Sequence, residues 1–541
     1  MTGKIDQNRR AMEKLIAGMS VERLVGQLLV TGFAGLEVPR ILKDHIDGHR
    51  IGGVIVFKDN IFDADQTQSL TQSLQDAARA AGEELPMLVM IDQEGGTVTR
   101  LDFLTMLPSA MALGAADSPS YAYLAGEVCG KELRALGFNV NCAPVLDVLT
   151  NPRNSCIGTR SFGGSPERVA ELGAQYINGL QSADVMAVAK HFPGLGAASS
   201  DTHHGPARIE KTLDELLAFD LVPFRRAFEY GVAMVMATHA EYPKLPGDAS
   251  LPASLSTFIL TDLLRGDLDF RGPAASDDLG MGAISARFRP EEAAIKALGA
   301  GADILLFCHN VERIGGIHSA IVKAVKDRTL PAERVLEAAT RVLWLKADLR
   351  ARRAASGEGP SLQDLDLDEH NLLVHEIAEG AVCVVKDEPG LLPVDAETKL
   401  LVVHPRLEDR FNLPPPRKCA SIYDAMLDYF EAISEVCYDR EGPSDAQMAQ
   451  IAKKSEKSEL VVLCTFSAAR SKRQLALCKL VLTLNKPCVH VALDEPFDLN
   501  LVEGFGTAIA TFGFGEPTVR ALASILAGAS EPGGVMPVAT P

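Results

Sequence analysis

At 541 residues the chain is long enough for two domains of about 100–200 residues each, more if one of them is a barrel. An apolar content of 47% and a charged content of 23% suit a globular protein with a sizeable core. The formal charge of −18, from 71 acidic against 53 basic residues, argues against sequence-independent binding to nucleic acid or to an anionic membrane. No run of about 18 apolar residues is present, and the first ten residues lack a signal-peptide core. The ten cysteines form no CxxC pair, which fits reduced thiols. The expectation is a soluble cytoplasmic protein, monomer or homodimer, that binds neither nucleic acid nor membrane.

Taken in order, residues 11–30 place Met12, Leu15, Ile16, Val21, Leu24, Val25 and Leu28 at helical spacing. Residues 51–57 are a short apolar run, predicted as a buried strand. A Gln-rich helix is predicted over 64–81, then a strand over 86–91 that ends at Asp92-Gln93-Glu94-Gly95-Gly96. The alternation continues with a helix at 121–136, a strand at 140–148, and a helix at 166–180 with Ser165 as its N-cap. A strand at 185–189 runs into Lys190, a helix covers 213–230, and a strand covers 233–237. Residues 272–276 lead to Asp277-Asp278, residues 302–307 form one more strand, and a helix at 331–352 closes the series. The only tryptophan, Trp344, lies in the stripe Val342-Leu343-Trp344-Leu345 of that helix and is expected in the core.

Strands alternating with helices over about 350 residues predict an α/β fold with a parallel sheet, most economically a (β/α)8 TIM-type barrel. An open doubly wound sheet is the alternative. Polar residues stand just after the strands: Asp92, Asp147, Lys190 with His191, His239, Asp277, and His309 with Asn310. In a barrel these strand ends converge on one face. The barrel is expected over 1–350, a polar Gly/Pro-bearing linker over 351–372, and a smaller α/β sandwich over 373–541. Strands of the sandwich are predicted at 399–403, 460–465, 488–493 and 508–511.

Residues 190–204 hold the densest set of titratable groups: Lys190-His191-Phe192-Pro193-Gly194, then Leu195 to Ser200, then Asp201-Thr202-His203-His204. Asp201 stands two residues before His203, so it can orient the ring and favour its cation, which suits a general acid–base. A surface histidine beside a capping Asp fits the same spacing. His191, His203, His204 and His239 have the ring nitrogens a metal site needs, but HxH and HExxH spacings are absent. Asp277 and Asp278 follow a strand, and strand alternation lets only one of them face a barrel mouth, as nucleophile or cation stabiliser. Both could equally cap a helix starting near Gly282. Asp92 and Arg100 flank Gly95-Gly96, an acceptor and a donor suited to the hydroxyls of a polyol ligand, and Arg160 and Lys190 add donors. Each alone also fits a structural ion pair. A single Trp gives little stacking platform for an extended polysaccharide.

Five segments together resemble glycoside hydrolase family 3, specifically its two-domain β-N-acetylglucosaminidase branch. They are Ile51-Gly52-Gly53-Val54-Ile55-Val56-Phe57, Asp92-Gln93-Glu94-Gly95-Gly96, Ala143-Pro144-Val145-Leu146-Asp147-Val148, Lys190-His191-Phe192-Pro193-Gly194 and Ser276-Asp277-Asp278-Leu279-Gly280-Met281. Phe512-Gly513-Phe514-Gly515 and Gly533-Gly534-Val535-Met536-Pro537-Val538 extend the likeness into the second domain. The resemblance implies Asp277 as nucleophile, His203 as acid–base with Asp201 as its partner, and Asp92, Arg100, Arg160, Lys190 and His191 on the terminal sugar. It implies a retaining exo-β-N-acetylglucosaminidase acting on small cell-wall or chitin-derived amino-sugar glycosides, with no metal and no organic cofactor. An imidazole acid–base leaves less negative charge than a Glu, so phosphate could replace water, and a phosphorylase or another β-glycosidase of the family is the alternative. A catalytically silent sugar-binding protein and a metal-dependent hydrolase are the readings from other classes. Leu195 stands where the family often has His, Ala197-Ala198 where many members have Asp-Thr, and Thr97 replaces a common Arg. The hinge from Leu195 to Ser200 is therefore where this chain is expected to differ from its relatives.

Overall fold

The computed structural model describes residues 2–200, 205–248, 250–357, 359–406 and 421–539. Eight strands close a barrel: β1 (Leu29–Thr31), β2 (Gly53–Val56), β3 (Leu88–Ile91), β4 (Val140–Asn141), β5 (Met186–Phe192), β6 (Met234–Ala237), β7 (Ala274–Asp278) and β8 (Ile304–Phe307). Each pairs in parallel with its chain neighbour, and β8 returns to β1 with Leu305 opposite Leu29. Helices cover the outside, so the strands are apolar on both faces. Burial relaxes only at the end of β7, where Asp277 and Asp278 stand. The helix Pro166–Ser182 is capped by Ser165, whose Oγ accepts from the Arg168 N–H at 3.4 Å, as its sequence implied.

The strands of the second unit are β9 (Cys383–Asp387), β10 (Leu400–Pro405), β11 (Ile433–Tyr438), β12 (Leu460–Thr465), β13 (Cys488–Ala492) and β14 (Thr507–Ala510). They order as β11-β10-β12-β13-β14-β9, all parallel except β9, which lies antiparallel on one edge. Helices Leu367–Ala381 and Glu516–Leu526 cover one face and Asp445–Ser455 and Lys472–Thr483 the other. No helix among the described residues is long and apolar enough to cross a membrane.

Several local expectations change. Residues 11–30 are not one helix: the helix Thr2–Ala17 stops, Ser20 caps a second one at Val21–Gln27, and β1 follows at once. The run Leu28-Leu29-Val30 satisfies helical and strand periods alike, and pairing with β2 and β8 decides it. The strand expected over 140–148 keeps only two residues, since Pro144 has no N–H for a ladder. The helix expected over 213–230 is broken by a five-residue π segment, Leu216–Asp220, ahead of Pro223. Trp344 is 37% exposed: Val342, Leu343 and Leu345 take the buried face of Ala332–Ser356, and residue 344 falls outside it. Strands β9 and β11 were not foreseen, because the Ser434, Glu435 and Lys386 they carry mark them as edge strands rather than apolar runs.

Candidate active site

The carboxyl ends of the barrel strands enclose a cavity of about 380 Å³ that brings together Asp92, Arg100, Arg160, Lys190, His191 and Asp277. These six come from four stretches scattered between Asp92 and Asp277, and the barrel's convergence of strand ends unites them. Glu94, Asp278, Leu195 and His309 share the lining.

Asp92 follows β3 directly. Its Oδ1 accepts from Lys190 Nζ at 2.9 Å, and Arg100 Nη2 lies 3.9 Å from its Oδ2. Arg100 is set by its backbone: its N–H donates to Gln93 Oε1 at 2.8 Å, and its guanidinium lies over the Phe57 ring at 5.8 Å. Glu94, whose role its sequence position alone does not reveal, organises this wall. It accepts a bidentate pair from Arg160, Nε and Nη2 each at 2.8 Å, and a third contact from Lys190 Nζ at 2.5 Å. Burial works against the Glu94 charge, but Arg160 and Lys190 outweigh it and hold its carboxyl well below the ordinary range. Lys190 shows the reciprocal effect: burial disfavours its charge, yet Asp92 and Glu94 keep it protonated. The visible signal for Glu94 was its place two residues beyond Asp92 at a strand end.

Asp147, buried after β4, holds the next segment. It accepts from His191 Nδ1 at 2.7 Å, from the Leu195 N–H at 2.6 Å and from the His191 N–H at 3.3 Å. His191 is thereby fixed by its Nδ1 rather than left free to swing. Leu195, which stands where the family often has His, is buried and anchored: its carbonyl accepts from Asn154 Nδ2 at 2.8 Å, and Ala198 O accepts from Asn151 Nδ2 at 2.8 Å. The described hinge is thus tied down from Leu195 to Ala198; Ser199 and Ser200 are exposed. Asp201, His203 and His204 lie outside the described residues.

Both carboxylates of β7 reach the cavity, contrary to strict alternation. The β7–β8 register shifts between Ala275 and Asp278, so the last residues leave the pleat. They are nevertheless unlike. Asp278 Oδ1 accepts from the Gly280 and Cys308 N–H groups at 2.9 and 3.0 Å; burial raises its pKa against those bonds. Asp277 Oδ1 accepts from the Asp278 N–H at 2.8 Å. Burial opposes its charge too, but His239, His191 and Lys190 outweigh it and hold its pKa below the ordinary value. Neither caps the following helix, whose N-cap is Met281.

His239 has Nδ1 on Ser254 Oγ at 2.7 Å and Nε2 on the Asp278 carbonyl at 2.9 Å, so both ring nitrogens are committed within the protein. Among the described residues, the one His/Cys/Asp/Glu group at metal-ligand spacing is His404, Glu435 and Cys437, in the second sheet. There Glu435 already faces His404, Lys454 and Arg406.

A parallel barrel whose strand ends gather an ionised carboxylate opposite a set of hydroxyl-binding donors and acceptors is the layout of a glycoside-cleaving enzyme. The comparisons agree. Residues 20–345 match the N-terminal domain of glycosyl hydrolase family 3, and the chain belongs to that family. It is 33% identical to beta-hexosaminidase A of Pseudoalteromonas piscicida over 413 residues, 72% of this chain and 67% of that protein. It is 29% identical to the beta-N-acetylglucosaminidase/beta-glucosidase of Cellulomonas fimi, spanning 97% of this chain and 94% of that one. A solved family 3 beta-N-acetylglucosaminidase from Paenibacillus sp. str. FPU-7 superposes with a TM-score of 0.89 at 35% identity, covering 96% of this chain and 99% of that structure. The chain is a glycoside hydrolase.

Proposed function

We propose that this enzyme is a retaining exo-β-N-acetylglucosaminidase that acts in the cytoplasm on small cell-wall or chitin-derived glycosides. The observation that carries the reading is Asp277: a half-buried carboxylate at a strand end, kept ionised by His239, His191 and Lys190, in the cavity that Asp92, Arg100 and Arg160 also line. The names of the Pseudoalteromonas, Cellulomonas and Paenibacillus relatives support an N-acetylhexosamine as the sugar. The cavity volume suits one sugar ring rather than a chain, hence exo action on a terminal residue.

In the proposed first step Asp277 forms a bond to the anomeric carbon while the glycosidic oxygen leaves with a proton from His203, oriented by Asp201. In the second, His203 takes a proton from water, whose oxygen displaces Asp277 and frees the sugar. Lys190 and Asp92, with Arg100 and Arg160, hold the ring hydroxyls through both steps. A low-pKa carboxylate suits this role, since it stays anionic and leaves as an anion.

The test is trapping. Rapid quench of the enzyme with an aryl N-acetyl-β-glucosaminide should show one N-acetylhexosaminyl unit on the peptide containing Asp277, and Asp277→Ala should lose both label and turnover. Label on another residue, or full activity of Asp277→Ala, refutes the assignment. Running the assay in phosphate buffer separates hydrolysis from phosphorolysis by the appearance of sugar 1-phosphate.

A further inference from the structure

The second unit touches the sugar pocket from behind, through a buried contact that the proposed chemistry does not use. After β13 the chain carries Asp494, Glu495 and Asp498, which are 4%, 5% and 1% exposed. Asp494 spends both oxygens: Oδ1 accepts from Thr159 Oγ1 at 3.2 Å, and Oδ2 from Ser467 Oγ at 3.1 Å. Glu495 pairs with Arg470 and comes so close to Gly158 that a Cβ there would stand 2.9 Å from its Oε1. Gly158 has φ +46°, so glycine at this position admits both the turn and the carboxyl.

Gly158 and Thr159 are the first two residues of the turn Gly158–Arg160. The third is Arg160, whose guanidinium holds Glu94 from two nitrogens and the Cys156 carbonyl from the other at 2.7 Å. The turn is therefore fixed on one side by the barrel and on the other by the second unit. Hydrogen bonds from Ser109 Oγ to Phe512 O at 2.6 Å and from the Gly164 N–H to Pro537 O at 2.9 Å close the same seam on either flank.

We propose that Asp494, with Glu495 beside it, is a positioning residue for sugar binding, fixing the 158–160 turn so that Arg160, and through it Glu94 and Lys190, meet the sugar. The second unit is then part of the binding apparatus without touching the ligand. This rests on the reading above that the cavity binds the sugar. A buried acceptor that loses its place leaves Thr159 Oγ1 without a partner, and the turn gains freedom where the Arg160–Glu94 geometry needs it fixed.

The experiment compares Asp494→Ala, Asp494→Asn and Thr159→Val in the full chain, with kinetics on an aryl N-acetyl-β-glucosaminide and amide hydrogen exchange over residues 156–162. Asp494→Ala and Thr159→Val should raise KM about tenfold with kcat within about threefold, and both should speed exchange in that peptide. Asp494→Asn keeps an acceptor for Thr159 and should stay near wild type in both readouts. Wild-type KM and unchanged exchange in Asp494→Ala and Thr159→Val overturn the proposal, as does an Asp494→Asn as impaired as Asp494→Ala. If the wild type cleaves no aryl glycoside, the functional reading fails by itself. Exchange over 156–162 then still decides the coupling: faster in Asp494→Ala and Thr159→Val it upholds the clamp, unchanged it removes it.

Discussion

Glu94 sits between two cations, Arg160 and Lys190, that would repel each other without it. It is a shared counter-ion in a nearly dry wall, where removing one member of a charge cluster costs about 3–5 kcal/mol because the remainder is left unpaired. Glu94→Gln keeps the shape and deletes the charge. We expect kcat/KM to fall by about a hundredfold or more, measured on the best aryl glycoside, with near-ultraviolet circular dichroism unchanged. The depressed Glu94 pKa also sets a pH sign: the group stays ionised as pH falls through the ordinary carboxylate range, so its contribution is retained there and lost only in stronger acid. An acid limb of activity near pH 4–5 that disappears in Glu94→Gln contradicts this. At this scale the sequence exposed residue types more readily than partnerships. Asp92, Arg100, Arg160, Lys190 and His191 were legible as donors and acceptors beside strands and do line one cavity, but which carboxylate organised them depended on contacts between residues 66 and 96 positions apart, Glu94 with Arg160 and with Lys190.

Among the elements, the segment that follows β5 shows how a loop becomes rigid without secondary structure. Asp147 ties its start, Asn154 and Asn151 tie its middle, and Tyr242 Oη donates to the Gly194 carbonyl at 2.6 Å. At Gly196 the backbone passes so close to the preceding strand connection that a Cβ would stand 1.8 Å from the Val148 carbonyl oxygen. Gly196→Ala must therefore push the loop off its anchors, with an expected loss of about 2 kcal/mol or more of stability and a fall in kcat of at least tenfold. Differential scanning calorimetry and turnover measure the two. The alternation of helices and strands was readable because buried parallel strands are short apolar runs and the outer helices carry a clear stripe. It failed where one run fits both periods, at β1, where proline or a bulge ends a ladder early, at β4 and β7, and where half-exposed edge strands β9 and β11 carry polar residues. The anchoring of Leu195 was hidden for a different reason: its partners Asp147 and Asn154 come from another strand connection.

On the scale of the whole molecule, the seam between barrel and second sheet concentrates buried acid. Burial pushes Glu495 up to about 7 and Asp498 up to about 6, against Arg470 for the first and backbone N–H groups for the second, with Asp494 raising both. The unfolded chain releases these protons near 4.5 and 3.8, the ordinary values. Between those limits the folded state binds more protons than the unfolded one, so the stability this contributes is fully present below the ordinary values and is lost progressively as pH rises toward the folded ones. For Glu495 the shift corresponds to about 3 kcal/mol. The opposite sign belongs to Glu94 and Asp277, whose depressed values favour the fold as pH rises, so the wild-type curve alone does not isolate the seam. The difference between wild type and Glu495→Gln does. Urea denaturation of the full chain at pH 5, 6 and 7.5 should show Glu495→Gln gaining stability relative to wild type as pH rises, by about 2–3 kcal/mol across the range. A stability difference that stays constant with pH would place the Glu495 proton elsewhere and make the seam insensitive to acid. A difference that grows as expected makes the contact behind Arg160 tightest in mild acid, where the neutral Glu495 carboxyl rests against Gly158 without the cost of a buried charge.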